Sequence, residues 1–469
     1  MKKNELVVFL LIVVVAATFR FYHLDITPPG LYPDEAMNGN NAIQALETND
    51  FKVFYPENNG REGLFIFLQA ISIKIFGNTS WALRGVSALF GTLTVIGLYF
   101  LVRLLFNRYL AAAASFLLAV SFWHVNFSRI GFRAIMAPFF IVWGLYFFWK
   151  GLASGKISMF VTSGLMWGLG MYTYIAFRAM PLVLIITVLA YWHTIKRDFD
   201  HHRYVEARIQ LIRGIAMLFL VMFAVSLPLL FHFYDHPEDF LGRASQVSIF
   251  SSATPLKDLA TNIVKTFGMF IYSGDWNWRH NYAGSPVLLW PVAALFAIGF
   301  LGSILKLGKS WRRHGHVSSV QTLLLSWFFV AMLPVVISDE GIPHALRSIM
   351  LAPVAMIFAT EGLWWLFTFL EHRQQRQDLR EVNVPMPFHH RIRMRESALI
   401  SVTVMVIFLA SIGFVEFNRY FNDWAKRPEV QDAFSARYKE VANQLMKLPQ
   451  SKIKYVLVNA DGVLVNGIP

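Results

Sequence analysis

Long apolar runs separated by short polar segments dominate the chain. They fall at residues 6–20, 82–102, 109–124, 134–150, 157–173, 177–194, 212–233, 286–306, 318–338, 346–370 and 397–415. Most are long enough to cross about 30 Å of hydrocarbon as a helix. The pattern therefore predicts an all-α membrane protein with about eleven transmembrane helices. No small-residue cleavage site follows the first run, so we interpret it as a retained helix.

The basic residues predict the orientation of these helices. If the N-terminus lies inside, every basic cluster between runs also falls inside, from Lys2 and Lys3 to the cluster that begins at Arg373. Short cytoplasmic loops carry an excess of Lys and Arg, so we expect a cytoplasmic N-terminus in the plasma (inner) membrane. The apolar stretch 64–76 is predicted to lie along the membrane surface, because counting it as a crossing would invert every later loop.

Two long segments then remain outside, residues 21–81 (the first outer loop) and residues 234–285 (the second outer loop). We expect residues 1–415 to form one transmembrane domain, with juxtamembrane helices in the first outer loop. Residues 416–469 are polar and are predicted to be a small extracytoplasmic segment. Its β-like run Tyr455 to Val458 suggests the opening strand of a truncated small domain.

Composition and charge agree with a membrane protein. Hydrophobic residues make up 56% of the chain and charged residues 15%, with a mean hydropathy of +0.47. The net charge is +13, and the basic residues responsible for it lie between the apolar runs, on one side of the predicted membrane. This placement argues against nucleic-acid binding as the reason for the positive charge. The chain has no cysteine, so thiolate metal sites and a cysteine nucleophile are excluded. No nucleotide-binding glycine motif occurs.

Two adjacent carboxylates follow the first helix, Asp34 and Glu35, in the sequence from Tyr32 to Ala42. A carboxylate at the membrane surface can act as a general base when an acceptor hydroxyl reaches it. The alternative is a solvated helix N-terminus, which acidic residues also favour. Tyr32 and Asn38 flank the pair and are candidates for substrate binding.

Several cations are predicted on the outer side, against the positive-inside bias. Arg61 could clamp a phosphate through two hydrogen bonds, and its alternative is an ion pair with Glu57 or Glu62. The other candidates fall into two groups. Those proposed to bind the donor phosphate are Arg129, Arg133, His344 and Arg347, and those proposed to bind the rest of the substrate are Glu62, Arg178, Asp275, Arg279, His280 and Asn281. Structural pairing or snorkelling is the alternative for the arginines. An anionic head group would fit between Arg61 and Arg347.

At these residues the chain resembles membrane glycosyltransferases of the GT-C superfamily, in the family 39 group that contains protein O-mannosyltransferases and aminoarabinose transferases. The resemblance rests on five segments: Pro33 to Glu35, Gly60 to Leu64, Ser128 to Arg133, Gly274 to Asn281 and His344 to Arg347. Many relatives have a His-Pro-Pro or Lys-Pro-Pro turn where this chain has Gly60-Arg61-Glu62-Gly63.

The resemblance implies a sugar donor carried on a polyprenyl phosphate and an acidic residue of the first outer loop, here Asp34, that activates the acceptor. The acceptor is a lipid, a glycan or a protein, and membrane lipid surrounds the chain. No metal ligand is assigned and no cofactor is expected with certainty, although a divalent cation stays open. A single displacement would invert the anomeric centre. The alternative function is a transporter or flippase of lipid-linked sugars, although the inverted repeats typical of transporters are not evident.

Overall fold

The computed structural model describes residues 1–198, 200–246, 248–314, 318–381, 387–449 and 451–454. Its helices are α1 Lys3–Phe21, α2 Pro33–Thr48, α3 Leu64–Phe76, α4 Ser80–Leu105, α5 Arg108–Val120, α6 Phe122–Arg129, α7 Met136–Ser154, α8 Ile157–Gly170, α9 Pro181–Asp198, α10 His201–Asp235, α11 Pro237–Gln246, α12 Pro255–Ile271, α13 Trp290–His314, α14 Ser319–Val336, α15 Ala352–Glu381, α16 Pro387–Phe417, α17 Pro428–Ala433 and α18 Ala436–Lys447. Two short strands, β1 Phe54–Tyr55 and β2 Arg61–Glu62, pair antiparallel. The prediction of an all-α membrane protein is confirmed.

Within the described residues, nine helices are long and apolar enough to cross a membrane, and ten if the bent pair of α5 and α6 counts as one span. The predicted count of eleven is therefore not confirmed. The run at 157–173 became α8, which has only 14 residues. The stretch that we expected along the membrane surface became α3, which has 13 residues and is likewise short for a crossing.

Glycines let the long helices approach closely. Side chains at Gly164 and Gly168 of α8 would collide with α10, and side chains at Gly299 of α13 and Gly362 of α15 would collide with the backbone of the facing helix. Small residues at such contacts are typical of membrane helix packing, because dispersion forces fall quickly with distance. The largest buried apolar cluster runs through these helices.

The first outer loop is folded rather than extended. Helix α2 and Tyr55 of β1 pack beside α3, and α3 lies against α4. Pro33 at the start of α2 lacks the N–H that a first helical residue would leave unpaired, and Asp34 and Glu35 stabilise the positive end of the helix dipole. This loop carries the first candidate residues on regular structure.

The segment after α16 packs on the outer loops. The ammonium group of Lys439 donates to the backbone oxygen of Asp25 at 2.7 Å, and the indole N–H of Trp424 donates to that of Trp278 at 3.1 Å. The segment therefore lies on the same face of the helix bundle as the first outer loop. The predicted strand Tyr455 to Val458 lies outside the described residues.

Candidate active site

A cavity of about 510 Å³ opens between the first outer loop and the ends of the helices. Its wall is polar where α2 and β2 contribute and apolar at the end of α14, where Leu333, Pro334 and the following Ile337 contribute. Seven residues that the sequence singled out line this cavity: Asp34, Asn38, Arg61, Arg133, Arg178, His344 and Arg347. Residues from five separate stretches of the chain thus converge on one space.

The two adjacent acids have different surroundings. Asp34 lies in the cavity wall, is partly exposed and accepts a hydrogen bond from the side-chain amide of Asn58 at 2.6 Å. One turn of helix later Asn38 lines the same cavity, because residues four apart share a helix face. Because Asn58 contacts only one carboxylate oxygen of Asp34, the other oxygen is available to a ligand and has no protein partner among the described residues.

Glu35 is fully buried and is not part of the cavity wall. Its carboxylate pairs with Arg84 at 2.9 and 3.0 Å and accepts backbone N–H groups from Gly131 at 2.6 Å and Tyr32 at 2.9 Å. Arg84 also donates to the backbone oxygens of Pro28 and Gly30. The structure thus gives Glu35 a structural position that joins the loop to α4, and it leaves Asp34 as the accessible acid.

Arg61 is buried, and no carboxylate pairs with it among the described residues. Its two terminal nitrogens donate to the amide oxygens of Asn38 and Asn41, each at 2.7 Å, and its Nε–H donates to the backbone oxygen of Glu57 at 3.3 Å. The ion pair that was its alternative role does not form in the structure. Burial, followed by the nearby charge of Arg133, lowers the pKa of Arg61. Asparagines orient this guanidinium without neutralising it.

Glu62 bridges the next two arginines. Its carboxylate pairs with Arg133 at 3.0 Å and with Arg178 at 3.3 Å. Arg133 also donates to the backbone oxygen of Gly60 at 3.0 Å, and the guanidinium of Arg178 lies 4.9 Å from the ring centre of Phe240. One acid shared by two arginines leaves a positive excess in this wall, to which Arg61 adds.

Three predicted substrate-binding and phosphate-binding residues form a compact group instead, Asp275, His280 and His344, which we name the Asp–His–His group. Their ligand atoms lie within 4.8 Å of one another. The Nδ1–H of His280 donates to the carboxylate of Asp275 at 3.0 Å, and the imidazoles of His280 and His344 stack with centres 4.8 Å apart. Asn281 holds the same turn by donating to the backbone oxygen of Ser285 at 2.6 Å.

The pKa shifts of Asp275 and His344 favour forms of these two side chains that can bind a divalent cation. Burial, followed by the nearby charge of His280, lowers the pKa of His344 well below its usual value. Burial alone would raise the pKa of Asp275, but the hydrogen bond from His280 and the nearby imidazoles hold it below its usual value. Carboxylate and imidazole side chains are ligands that Zn²⁺ takes. Sequence analysis missed this group because its members come from two separate loops.

Two arginines predicted to bind phosphate are engaged elsewhere. Arg129 is buried and donates to backbone oxygens at the end of α1, including that of Phe19 at 3.0 Å and that of Tyr22 at 2.6 Å. It is not part of the cavity wall. Arg347 does line the cavity, but it pairs with Glu340 at 2.8 Å and also donates to Ser338. Its charge is therefore partly neutralised.

Tyr32 and Arg279 join the two outer loops beside Asp34. The guanidinium of Arg279 lies 4.1 Å from the ring centre of Tyr32 and donates to Asn277 at 3.1 Å. Burial, followed by the charge of Asp34, raises the pKa of Tyr32. Neither side chain forms part of the cavity wall described above.

Comparison with known proteins places this geometry in a class. Residues 64–227 match the family model described as dolichyl-phosphate-mannose-protein mannosyltransferase. "Putative mannosyltransferase YkcB" of Bacillus subtilis is 24% identical over 207 residues, which cover 42% of this chain and 28% of that protein. ArnT from Cupriavidus metallidurans, bound to undecaprenyl phosphate, has a TM-score of 0.55 and 16% identity, covering 96% of this chain and 82% of that chain. The oligosaccharyltransferase of Archaeoglobus fulgidus, in complex with Zn and sulfate, has a TM-score of 0.54 and 16% identity, covering 96% of this chain and 59% of that chain.

The chain has the GT-C fold of these membrane glycosyltransferases, as the sequence resemblance predicted. The segment from α3 into α10 carries the match to the protein mannosyltransferase model. The chain spans less than two thirds of the length of the B. subtilis protein and of the oligosaccharyltransferase.

Proposed function

We propose that the chain is a glycosyltransferase that moves a sugar from a polyprenyl-phosphate donor to an acceptor hydroxyl. The observation that carries the proposal is one cavity whose wall holds both the carboxylate of Asp34 and the guanidinium of Arg61, which has no acidic partner among the described residues. The donor class is supported by the family model and by the undecaprenyl phosphate bound to ArnT.

In the proposed reaction, Asp34 takes the proton of the acceptor hydroxyl while the hydroxyl oxygen forms a bond to the anomeric carbon. The bond between that carbon and the phosphate oxygen breaks, and its electron pair leaves with the polyprenyl phosphate. Arg61 stabilises the negative charge that develops on this leaving group, assisted by the positive excess of Arg133 and Arg178. Attack opposite to the leaving phosphate inverts the anomeric centre.

The apolar part of the cavity suits the lipid of the donor. Leu333 and Pro334 of α14 and the following Ile337 line it together with Leu346. Isoprene units against these side chains would leave the phosphate at the polar end, so that no nucleotide pocket is required. In this proposal the active site opens on the extracytoplasmic face, and the acceptor is a lipid, a glycan or a protein.

The Asp–His–His group fits a divalent cation next to this cavity, where His344 is part of the wall. A bound cation would supply a fixed positive charge and hold the second outer loop in place. The displacement itself is assigned to Asp34 and the arginines, so we expect transfer to be independent of metal or weakly dependent on it.

The test uses membranes that contain the full chain and a panel of radiolabelled polyprenyl-phosphate sugars. We expect one label to leave the lipid and to appear in an acceptor, and we expect Asp34→Asn to abolish this transfer without lowering the amount of folded protein. The amide keeps the shape of the side chain but cannot take the proton. Near-normal transfer by Asp34→Asn, or no transfer by the native protein with any sugar, would contradict the proposal.

A further inference from the structure

An unusual turn in the first outer loop faces the proposed base. Asn58, Asn59 and Gly60 are consecutive residues with φ of +53°, +64° and +79°. Residues with side chains adopt this left-handed region at a cost in free energy, which asparagine tolerates better than most residues. Three such residues in a row are retained only where surrounding contacts hold them.

The turn is held by the arginines of the cavity wall. The Nε–H of Arg61 donates to the backbone oxygen of Glu57 at 3.3 Å, and Arg133 donates to that of Gly60 at 3.0 Å. A side chain at Gly60 would approach the ring of Phe54 to 2.7 Å, so the turn also packs tightly on β1. These contacts on both sides fix the direction in which Asn58 points.

Asn58 points at Asp34. Its side-chain nitrogen lies 2.6 Å from a carboxylate oxygen of Asp34, and both residues line the cavity. An ionised carboxylate can only accept hydrogen bonds, so the amide group must donate. Because the hydrogen bond is exposed to solvent, water replaces it easily in the unfolded chain and it adds little to folding stability.

We propose that Asn58 is a positioning residue for the reaction, which holds one oxygen of Asp34 so that the other faces the acceptor hydroxyl. This inference rests on the proposed function. The phosphate-binding arginines hold the turn, and the turn holds the base, so donor and acceptor sides of the cavity are connected through residues 57–61. The cost of the left-handed backbone is then explained by the direction that it gives to Asn58.

The discriminating variant is Asn58→Gly, because glycine adopts positive φ without strain and only the amide is lost. With the polyprenyl-phosphate sugar that the native protein transfers, we expect kcat to fall about tenfold, the scale of one hydrogen bond to a charged group, and KM for the donor to change little. The thermal unfolding temperature should not change.

Two further variants complete the experiment. Asn58→Asp keeps the shape but places a second negative charge against Asp34, so we expect a greater loss than in Asn58→Gly. Asn49→Gly is the matched control, since Asn49 also has a positive φ of +55° but is exposed at the end of α2 and outside the cavity wall. We expect it to retain native activity.

Each outcome is decisive. Native kcat in Asn58→Gly, or equal losses of kcat in Asn58→Gly and Asn49→Gly, would overturn the positioning role while leaving the proposed function intact. A loss of kcat accompanied by a lower thermal unfolding temperature would also overturn the positioning role, because the contribution of Asn58 would then be structural. An inactive native protein would instead overturn the proposed function, and the inference with it.

Discussion

The asparagine pair around Arg61 permits a test that changes the charge of the site and not its shape. Asn41 accepts one hydrogen bond from Arg61 at 2.7 Å, is buried and is not part of the cavity wall. Asn41→Asp would place a carboxylate at this oxygen position and give Arg61 the acidic partner that it lacks. If Arg61 binds the donor phosphate, this neutralisation should weaken its action on the phosphate.

The expected magnitude follows from the contacts. A hydrogen bond to a charged group contributes about 1.5–3 kcal/mol, and about 1.4 kcal/mol corresponds to a tenfold change in rate. We therefore expect kcat/KM to fall about tenfold to hundredfold in Asn41→Asp. Folding should not suffer, because the new carboxylate and Arg61 are paired and hydrogen-bonded. Arg61→Lys should lose a similar factor in rate but should also destabilise the protein, because a lysine cannot satisfy both asparagine oxygens.

The assay is steady-state transfer from the polyprenyl-phosphate donor, combined with thermal unfolding of the purified protein. Gln44→Glu is the matched control, since it adds the same negative charge to an exposed position of α2. We expect Gln44→Glu to behave as the native protein. If Asn41→Asp is as active as the native protein, whatever its stability, Arg61 is a structural residue and the proposed phosphate site is wrong.

Three further predictions concern stability, metal and topology. Glu35→Gln should lower the thermal unfolding temperature and the yield of folded protein, because it leaves Arg84 charged and buried without a partner. Loss of one member of a buried ion pair destabilises a protein by about 3–5 kcal/mol, so an unchanged unfolding temperature would contradict the structural role of this pair. Elemental analysis should find about one zinc ion per chain in the purified native protein and none in His344→Ala, as expected for a site with three protein ligands. A metal-free native protein would show that the Asp–His–His group is only a hydrogen-bonded cluster. An impermeant maleimide should label Asn49→Cys in intact cells and Ser154→Cys only after permeabilisation, since the native chain has no cysteine; the reverse pattern would reject the predicted orientation.

The sequence was sufficient for the features that depend on local sums. The length of an apolar run decides whether a helix can cross the membrane, and the all-α membrane fold was predictable for that reason. The order of short motifs was sufficient to predict the GT-C fold. The predicted orientation selected Asp34 and Arg61, because an acidic pair and an unexpected cation in the first outer loop need an explanation even before their neighbours are known.

Only the tertiary structure separated residues that are equivalent in sequence. Asp34 and Glu35 are adjacent, yet one lines the cavity and the other is buried against Arg84, because successive residues of a helix point about 100° apart and the packing of α2 decides which face is covered. Arg84 itself carried a signal, since it is a charge inside an apolar run.

Distances between loops also required the structure. Arg61 and Glu62 are neighbours, but Arg61 contacts asparagines while Glu62 pairs with Arg133 and Arg178. The residues of the Asp–His–His group are likewise in contact although their spacing along the chain does not predict it, and the same is true of Asn58 and Asp34. Electrostatic pairing depends on separations of a few ångströms, and these are decided by how the helices and loops pack together.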